Sequence, residues 1–398
     1  MRPPRTPPHI LTLVVLSGLA ALSMNVFLPS LPGMARYFGV DYRVMQLSVT
    51  AYLGASAALQ LLVGPLSDRF GRRPVTIGAL LIFLGATLGS LLAPTAGWFL
   101  VFRIAQAVVA TCMVLSRAAV RDMVAGDRAA SMIGYVTMGM SLVPMIAPSI
   151  GGALDEAFGW KANFSMLGLA GAAVLVLVWF DMGETAQAGG TPLRQQFRSY
   201  PLLARSVRFW GYCLTATLSS GAFFAYLGGA PFVGEVVFHL TPAQVGSWFA
   251  APSVGYLAGN FLSGRWAARV GVNRMVFMGA LITAGAMIPA LLADLAGVLR
   301  PLIFFGAVAV MGLGNGLVLP SANAGMMSVR PELAGTASGL GGAMIIGGGA
   351  LLAGLTAALL TETSGATPLL AIMSGSGLGG IAAIWWVIRR ERQIFPGL

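Results

Sequence analysis

The chain alternates long uncharged apolar stretches with short polar segments. The uncharged stretches cover 10–35, 44–67, 74–102, 129–154, 162–180, 209–234, 236–264, 275–293, 301–329, 333–361 and 363–388. Each is close to or above the roughly 20 residues that a helix needs to cross a bilayer. The stretch 74–102 is too long for one crossing, and Pro94-Thr95-Ala96-Gly97 breaks it with turn chemistry. It divides into a span near 75–93 and a second near 98–119, the latter interrupted by Arg103. The pattern therefore predicts twelve transmembrane helices.

Composition agrees with this pattern. Of 398 residues, 57% are hydrophobic and 9% charged, against about 25% charged in a soluble domain. A charged coat around a globule of this size is out of reach. The net charge of +11 would suggest nucleic acid in a soluble protein, but here the basic residues cluster between apolar runs. DNA-binding domains, disordered chains and secreted disulfide scaffolds are excluded. Cys112 and Cys213 both lie within apolar runs, so no disulfide framework is expected.

With the N-terminus in the cytoplasm, nineteen of the 24 basic residues fall on the cytoplasmic side. Arg36, Arg43, Lys161 and Arg300 fall outside, and Arg103 falls within a span. This is a strong positive-inside asymmetry. It places both termini in the cytoplasm, requires an even number of spans, and makes the chain a multi-pass protein of a cell membrane, a bacterial inner membrane by expectation. Arg2 and Arg5 before an apolar run resemble a signal peptide. No small-residue cleavage pattern follows, so a retained helix is expected.

The segment 181–208 reads as a cytoplasmic linker joining an N-terminal half, 1–180, to a C-terminal half, 209–398. The halves carry a trace of duplication. Gly64, Arg69 and Gly71 recur as Gly264, Arg269 and Gly271, an offset of 200 each time. The predicted fold class is an all-α integral membrane protein with twelve transmembrane helices in two pseudo-symmetric six-helix bundles. Repeated halves are a frequent construction in secondary transporters, which bind substrate near the midplane.

Several segments carry candidate chemistry. The loop after span 2 reads Gly64-Pro65-Leu66-Ser67-Asp68-Arg69-Phe70-Gly71-Arg72-Arg73. Gly64 would let span 2 approach a neighbour closely, and Asp68 can pair with an Arg or a helix N-terminus. Arg103 is the only ionised group well inside a span. Its burial unpaired would cost at least ~2.5–3.5 kcal/mol, which marks it as a functional candidate. Span 5 contains Gly134, Gly139, Pro144, Pro148, Gly151 and Gly152, helix breakers tolerated where neighbours satisfy the backbone. Asn25, Gln46, Gln60, Asn260, Asn315 and Asn323 can bond a substrate or join helices. Tyr52, Phe223, Phe224 and Tyr226, with Met138, Met140 and Met145, can line an adaptable pocket or pack against lipid.

The loop Gly64–Arg73 resembles motif A of the major facilitator superfamily, with Gly64, Asp68, Arg69, Gly71, Arg72 and Arg73 at the motif positions. Twelve spans in two halves resemble its drug:proton antiporter branch. FLPSLP (27–32), RAAVRD (117–122), GGAPFV (228–233), SANA (321–324) and AGTASGLGG (334–342) resemble the bicyclomycin- and chloramphenicol-resistance (Bcr/CflA) group. Arg103 and Gln106 resemble motif B, with Ala107 in place of its Gly. Ala147 to Gly152 resemble motif C, with Ala147 in place of a Gly, and Gly134 matches an upstream Gly of that motif. The resemblance implies export of small amphiphilic drugs or xenobiotics by alternating access in exchange for protons, with Arg103 implicated in proton transfer. Relatives often carry Asp where this chain has Asn25. The acidic residues map outside the deep parts of the spans, so the remaining coupling candidates are Asp122, beside Arg117 and Arg121, and Asp181.

Three function classes compete. An efflux carrier accounts for the motifs. A facilitator or exporter of a specific small metabolite, without proton coupling, suits the missing membrane carboxylate. An intramembrane enzyme or sensor finds no support, because no metal-ligand cluster, nucleophile with a base, or P-loop is present. The expected partners are a hydrophobic or amphiphilic small molecule, protons and the lipid bilayer. No nucleic acid, cofactor or metal is expected, and the chain is expected to be a monomer.

Overall fold

A computed structural model describes residues 7–123, 127–186, 203, 205–330, 333–361 and 363–394. All regular structure among the described residues is helical. The chain divides into two compact units. Unit 1 is Met1–Leu193 with Pro242–Ser247, and unit 2 is Arg194–Thr241 with Trp248–Leu398. Most of the segment 181–208, including Gly189, Arg194 and Arg198, lies outside the described residues.

The helices of unit 1 are α1 (Ile10–Asn25), α2 (Leu31–Phe38), α3 (Tyr42–Phe70), α4 (Arg72–Leu92), α5 (Ala96–Gln106), α6 (Thr111–Met123), α7 (Asp127–Phe158) and α8 (Lys161–Asp181). Then follow α9 (Val207–Phe232), α10 (Pro242–Trp248), α11 (Ala250–Val270), α12 (Val272–Leu295), α13 (Pro301–Ser328), α14 (Ala334–Leu359) and α15 (Thr367–Ile394). Among the described residues, nine stretches are long and apolar enough to cross a membrane: Ile10–Phe38, Tyr42–Gly64, Arg72–Leu92, Ala96–Val120, Lys161–Asp181, Val272–Leu295, Pro301–Ser328, Ala337–Leu359 and Thr367–Gln393. The other three sequence-predicted spans fall on α7, α9 and α11. In α9 the many Gly, Ser and Thr residues dilute the apolar character.

The predicted break in 74–102 is a helix start. Thr95 adopts an extended conformation and its hydroxyl accepts the Trp98 N–H at 3.4 Å. The offset-200 repeat is also conformational. Gly71 (φ 101°, ψ 150°) and Gly271 (φ 90°, ψ 147°) each end one helix and begin the next in backbone geometry that only glycine adopts readily. Two spans depart from single straight helices. Pro29 and Pro32 lack the N–H an α-helix requires, so span 1 passes through a 3₁₀ turn, Leu28–Ser30, into α2. Span 4 is interrupted by a 3₁₀ turn, Ala107–Ala110, directly after Arg103 and Gln106. Span 8 begins at Pro242 rather than at 236, because the preceding residues form a π-helical turn, Val233–Val237, and a bend at His239 (φ 55°).

Small residues set the packing. In unit 2, a Cβ at Gly255, Gly259, Gly312 or Gly316 would meet the backbone of the facing helix, so α11 and α13 touch main chain to main chain. In unit 1, Phe99, Trp160 and Phe164 pack edge to face with centroids 5.3–5.8 Å apart. The outward surface is apolar. Leu92, Leu169, Phe180, Leu302 and Leu351 are 70–84% exposed, as side chains facing lipid are. The protein is a multi-pass membrane protein.

Candidate functional site

Arg103 is completely buried in unit 1. Its Nε donates to the Ser48 carbonyl (3.3 Å), and Nη2 to the Ser23 carbonyl (2.8 Å). Nη1 donates to Ser23 Oγ (3.2 Å) and Gln106 Oε1 (2.7 Å). The guanidinium also lies against two aromatic faces, 4.3 Å from the Phe27 centroid and 4.1 Å from that of Tyr52. Gln106 is fixed in turn, since its Nε2 donates to Thr87 Oγ1 at 2.8 Å. Charge-assisted bonds and desolvated cation–π contacts, each worth about 2 kcal/mol, can offset the burial of the ion. Among the described residues none of these partners is a carboxylate.

A row of unused polar groups adjoins this charge. Ser48 Oγ, Tyr52 Oη and Ser56 Oγ stand four residues apart on one face of α3, buried and without hydrogen-bond partners, as are both amide atoms of Gln46. Asn25 is also buried. Its Nδ2 donates to the Ala21 carbonyl (2.7 Å), and its Oδ1 is unpartnered. Unit 2 also has buried neutral polar groups. Ser219 donates to Asn315 (2.5 Å), and the buried Tyr226 hydroxyl is unpartnered. Asn323 is exposed, and Met138 and Met140 lie outside the residues whose side chains are described.

The motif A residues form a second network centred on Arg72. Its Nη2 meets Asp68 Oδ1 at 2.6 Å and its Nε meets Asp122 Oδ2 at 3.0 Å. Its Nη1 donates to Ser67 Oγ. The Arg72 backbone N–H donates to Glu184 Oε1 (2.8 Å), which places a carboxylate at the N-terminus of α4. A Cβ at Gly71 would collide with that carboxylate. Arg73 Nη2 donates to the Trp179 carbonyl (2.8 Å), while Arg69 lies exposed over Phe70. The close approach expected at Gly64 is not found: a Cβ there has nothing within 4 Å, and the Gly64 carbonyl instead accepts from Ser67 Oγ at 2.8 Å. Asp122 belongs to this network. It is 19 residues beyond Arg103, roughly 28 Å at helical rise. Asp181 caps α1, accepting from the His9 N–H (2.9 Å) and the Thr12 hydroxyl (2.5 Å).

The motif C residues lie on α7. A Cβ at Gly151 would strike the Val26 carbonyl, and one at Gly152 the Pro242 carbonyl. Asn163 Nδ2 bridges the Gly151 carbonyl (3.1 Å) and Ser30 Oγ (3.0 Å), and Ser149 Oγ donates to the Gly246 carbonyl at 3.0 Å. Pro144 and Pro148 stand inside the helix. The surroundings of Gly134 lie outside the described residues.

Sequence reasoning missed Glu184, Thr87 and a cluster in unit 2. There Glu391 pairs with Arg208 (2.6 Å) and accepts from Asn273, while Tyr212 donates to Asn273 Oδ1 at 2.6 Å. Glu184 and Glu391 each bring a carboxylate to the start of the helix that follows Gly71 or Gly271. The repeated glycines were the only available signal.

The Major Facilitator Superfamily profile matches residues 13–241 and 230–394. The chain belongs to that superfamily. Within it, the chain is 28% identical to a bicyclomycin resistance protein homolog of Haemophilus influenzae, over 96% of both chains. It is 32% identical to a chloramphenicol resistance protein of Pseudomonas aeruginosa, over 85% of this chain and 81% of the relative. It is 29% identical to multidrug resistance protein D of Escherichia coli, over 92% of each. This superfamily member therefore stands with the bicyclomycin- and chloramphenicol-resistance group. Its fold is similar to that of a solved peptide transporter (TM-score 0.76, 13% identity, 97% and 94% coverage). It is also similar to a bacterial homolog of the human lysosomal transporter Spinster (TM-score 0.71, 16% identity, 96% and 94% coverage).

Proposed function

We propose that this protein is a carrier, not an enzyme, that exports small amphiphilic drugs across the cytoplasmic membrane by alternating access. It works with twelve spans in two six-helix halves, 1–180 and 209–398, joined by a cytoplasmic linker, with both termini in the cytoplasm. The observation that carries the reading is Arg103, a fully buried cation bonded to α1, α3 and its own helix beside a row of unused hydroxyls. Buried polar atoms without partners cost free energy unless something completes them, and a polar group on a bound drug can do so. The relatives named for bicyclomycin, chloramphenicol and multidrug resistance support the same reading. Protons are exchanged for drug. The carboxylates available for this are Asp122, which shares Arg72 with Asp68, and Asp181, which caps α1. Breaking and reforming the Arg72 pairs is a two-state element of the kind alternating access requires.

A second reading, facilitated passage of a metabolite without proton coupling, is favoured by one observation. Asn25 places a neutral amide in span 1, and the described carboxylates stand at or near helix ends. Expression in a strain stripped of its own drug pumps tests the first reading. Resistance to chloramphenicol or bicyclomycin should rise at least fourfold, and unchanged susceptibility across a panel of amphiphilic drugs would reject it.

A further inference from the structure

The charge of Arg103 has a consequence for substrate choice. Every group touching the guanidinium is neutral: two carbonyls, a hydroxyl, an amide oxygen and two aromatic faces. Such partners stabilise the cation locally but leave its net charge in place. Among the described residues, the nearest acid along α3 is Asp41, which caps the helix seven residues before Ser48, roughly 10 Å along the axis. Arg36, Arg43 and Lys161 stand in the same outer segments as Asp41, Asp155 and Glu156, so that end of unit 1 adds no net negative charge. Ser48 and Tyr52, which touch Arg103, carry unpartnered hydroxyls, and the buried Gln46 and Ser56 of α3 and Asn25 of α1 add further unpartnered neutral groups.

We propose that the carrier accepts neutral and anionic amphiphiles and discriminates against lipophilic monocations, because Arg103 supplies an interior positive charge that no carboxylate among the described residues contacts. The proposal rests on the drug-export reading and names the substrate class of that same site. A monovalent cation held about 8 Å from the guanidinium, at an effective dielectric constant near 20, would bind roughly thirtyfold more weakly than its neutral counterpart. An anion at the same distance would gain by a similar factor, less the cost of its own desolvation. The neutral hydroxyl and amide groups account for binding of uncharged drugs. Asn25 is two residues from both Ser23 and Phe27, the α1 contacts of Arg103. A carboxylate there would add a negative charge to span 1, a short stretch of chain from those contacts, and weaken the net positive field without pairing directly with Arg103.

The test uses aryl probes of similar shape and different charge: tetraphenylphosphonium, neutral triphenylphosphine oxide and tetraphenylborate. Binding to the purified full-length protein in detergent micelles is measured by calorimetry, with empty micelles subtracted. The neutral and anionic probes should each bind at least tenfold more tightly than tetraphenylphosphonium, and Asn25→Asp should reduce that ratio at least threefold. A wild-type ratio below tenfold overturns the charge rule while leaving a drug site in place. Binding of none of the three probes overturns the drug-site reading and the charge rule with it. If Asn25→Asp does not fold, the wild-type ratio decides alone.

Discussion

Replacing Gly151 with alanine adds one methyl group at the point where α7 crosses the end of α1. That methyl would overlap the Val26 carbonyl oxygen, with the carbonyl carbon 2.7 Å away and Val26 Cγ2 at 3.1 Å. A side chain could rotate away, but a main-chain carbonyl cannot. Relief requires α1 and α7 to separate by more than an ångström. On the other side, the Gly151 carbonyl is held by Asn163, which also holds Ser30. Overpacking typically costs 1–3 kcal/mol, and loss of the Asn163 bonds adds about 0.6 kcal/mol each at the average measured inside membranes. The total is about 2–4 kcal/mol, which over a chain of this length should lower the melting temperature in lipid nanodiscs by about 2–5 °C. Gly64→Ala is the matched control. Its added methyl meets nothing within 4 Å, and alanine is the better helix former by about 1 kcal/mol. A Gly151→Ala protein that melts with the wild type, or below which Gly64→Ala falls, would refute the packing argument.

The Arg72 pairs should behave non-additively. Asp68→Asn or Asp122→Asn alone leaves Arg72 one carboxylate, so each should slow efflux only severalfold, whereas the double variant should slow it far more than the product of the two; rates that simply multiply would dissolve the network. Glu184→Gln should lower thermal stability by about 0.3–1 kcal/mol at low salt, through loss of a charge at the start of α4, and the difference should shrink at high salt. A cysteine introduced at Gly189 should escape impermeant thiol reagents added outside intact cells, and labelling there would overturn the proposed topology.

Much of this arrangement follows from the chain pattern alone. The turn at Pro94–Gly97 and the repeated glycines at 71 and 271 are local signals and appear as expected, while the apolar stretches fall on helices with the departures at spans 1, 4 and 8. The depth of Arg103 was equally legible, because one charge in an apolar run has few places to go. Its partners were not. Ser23, Ser48 and Thr87 are small polar residues in apolar spans, and nothing in their spacing tells which helix face turns inward when both faces are apolar. Gly64 shows the opposite failure. A glycine in a helix suggests close packing, but its carbonyl rather than its missing side chain is what the structure uses. Asp122 and Glu184 reach Arg72 from 50 and 112 residues away, a juxtaposition set by helix order rather than by any local pattern.

Drug uptake into inside-out membrane vesicles tests the central claim most directly. With the lumen made acidic, the wild type should accumulate a neutral drug such as chloramphenicol above its outside concentration, and collapse of the gradient should release it. Arg103→Ala should abolish this accumulation, while Arg103→Lys, which keeps the charge but loses the planar fork between Ser23, Ser48 and Gln106, should retain part of it. Equilibration at the same rate with and without the gradient, or full accumulation by Arg103→Ala, would contradict the account.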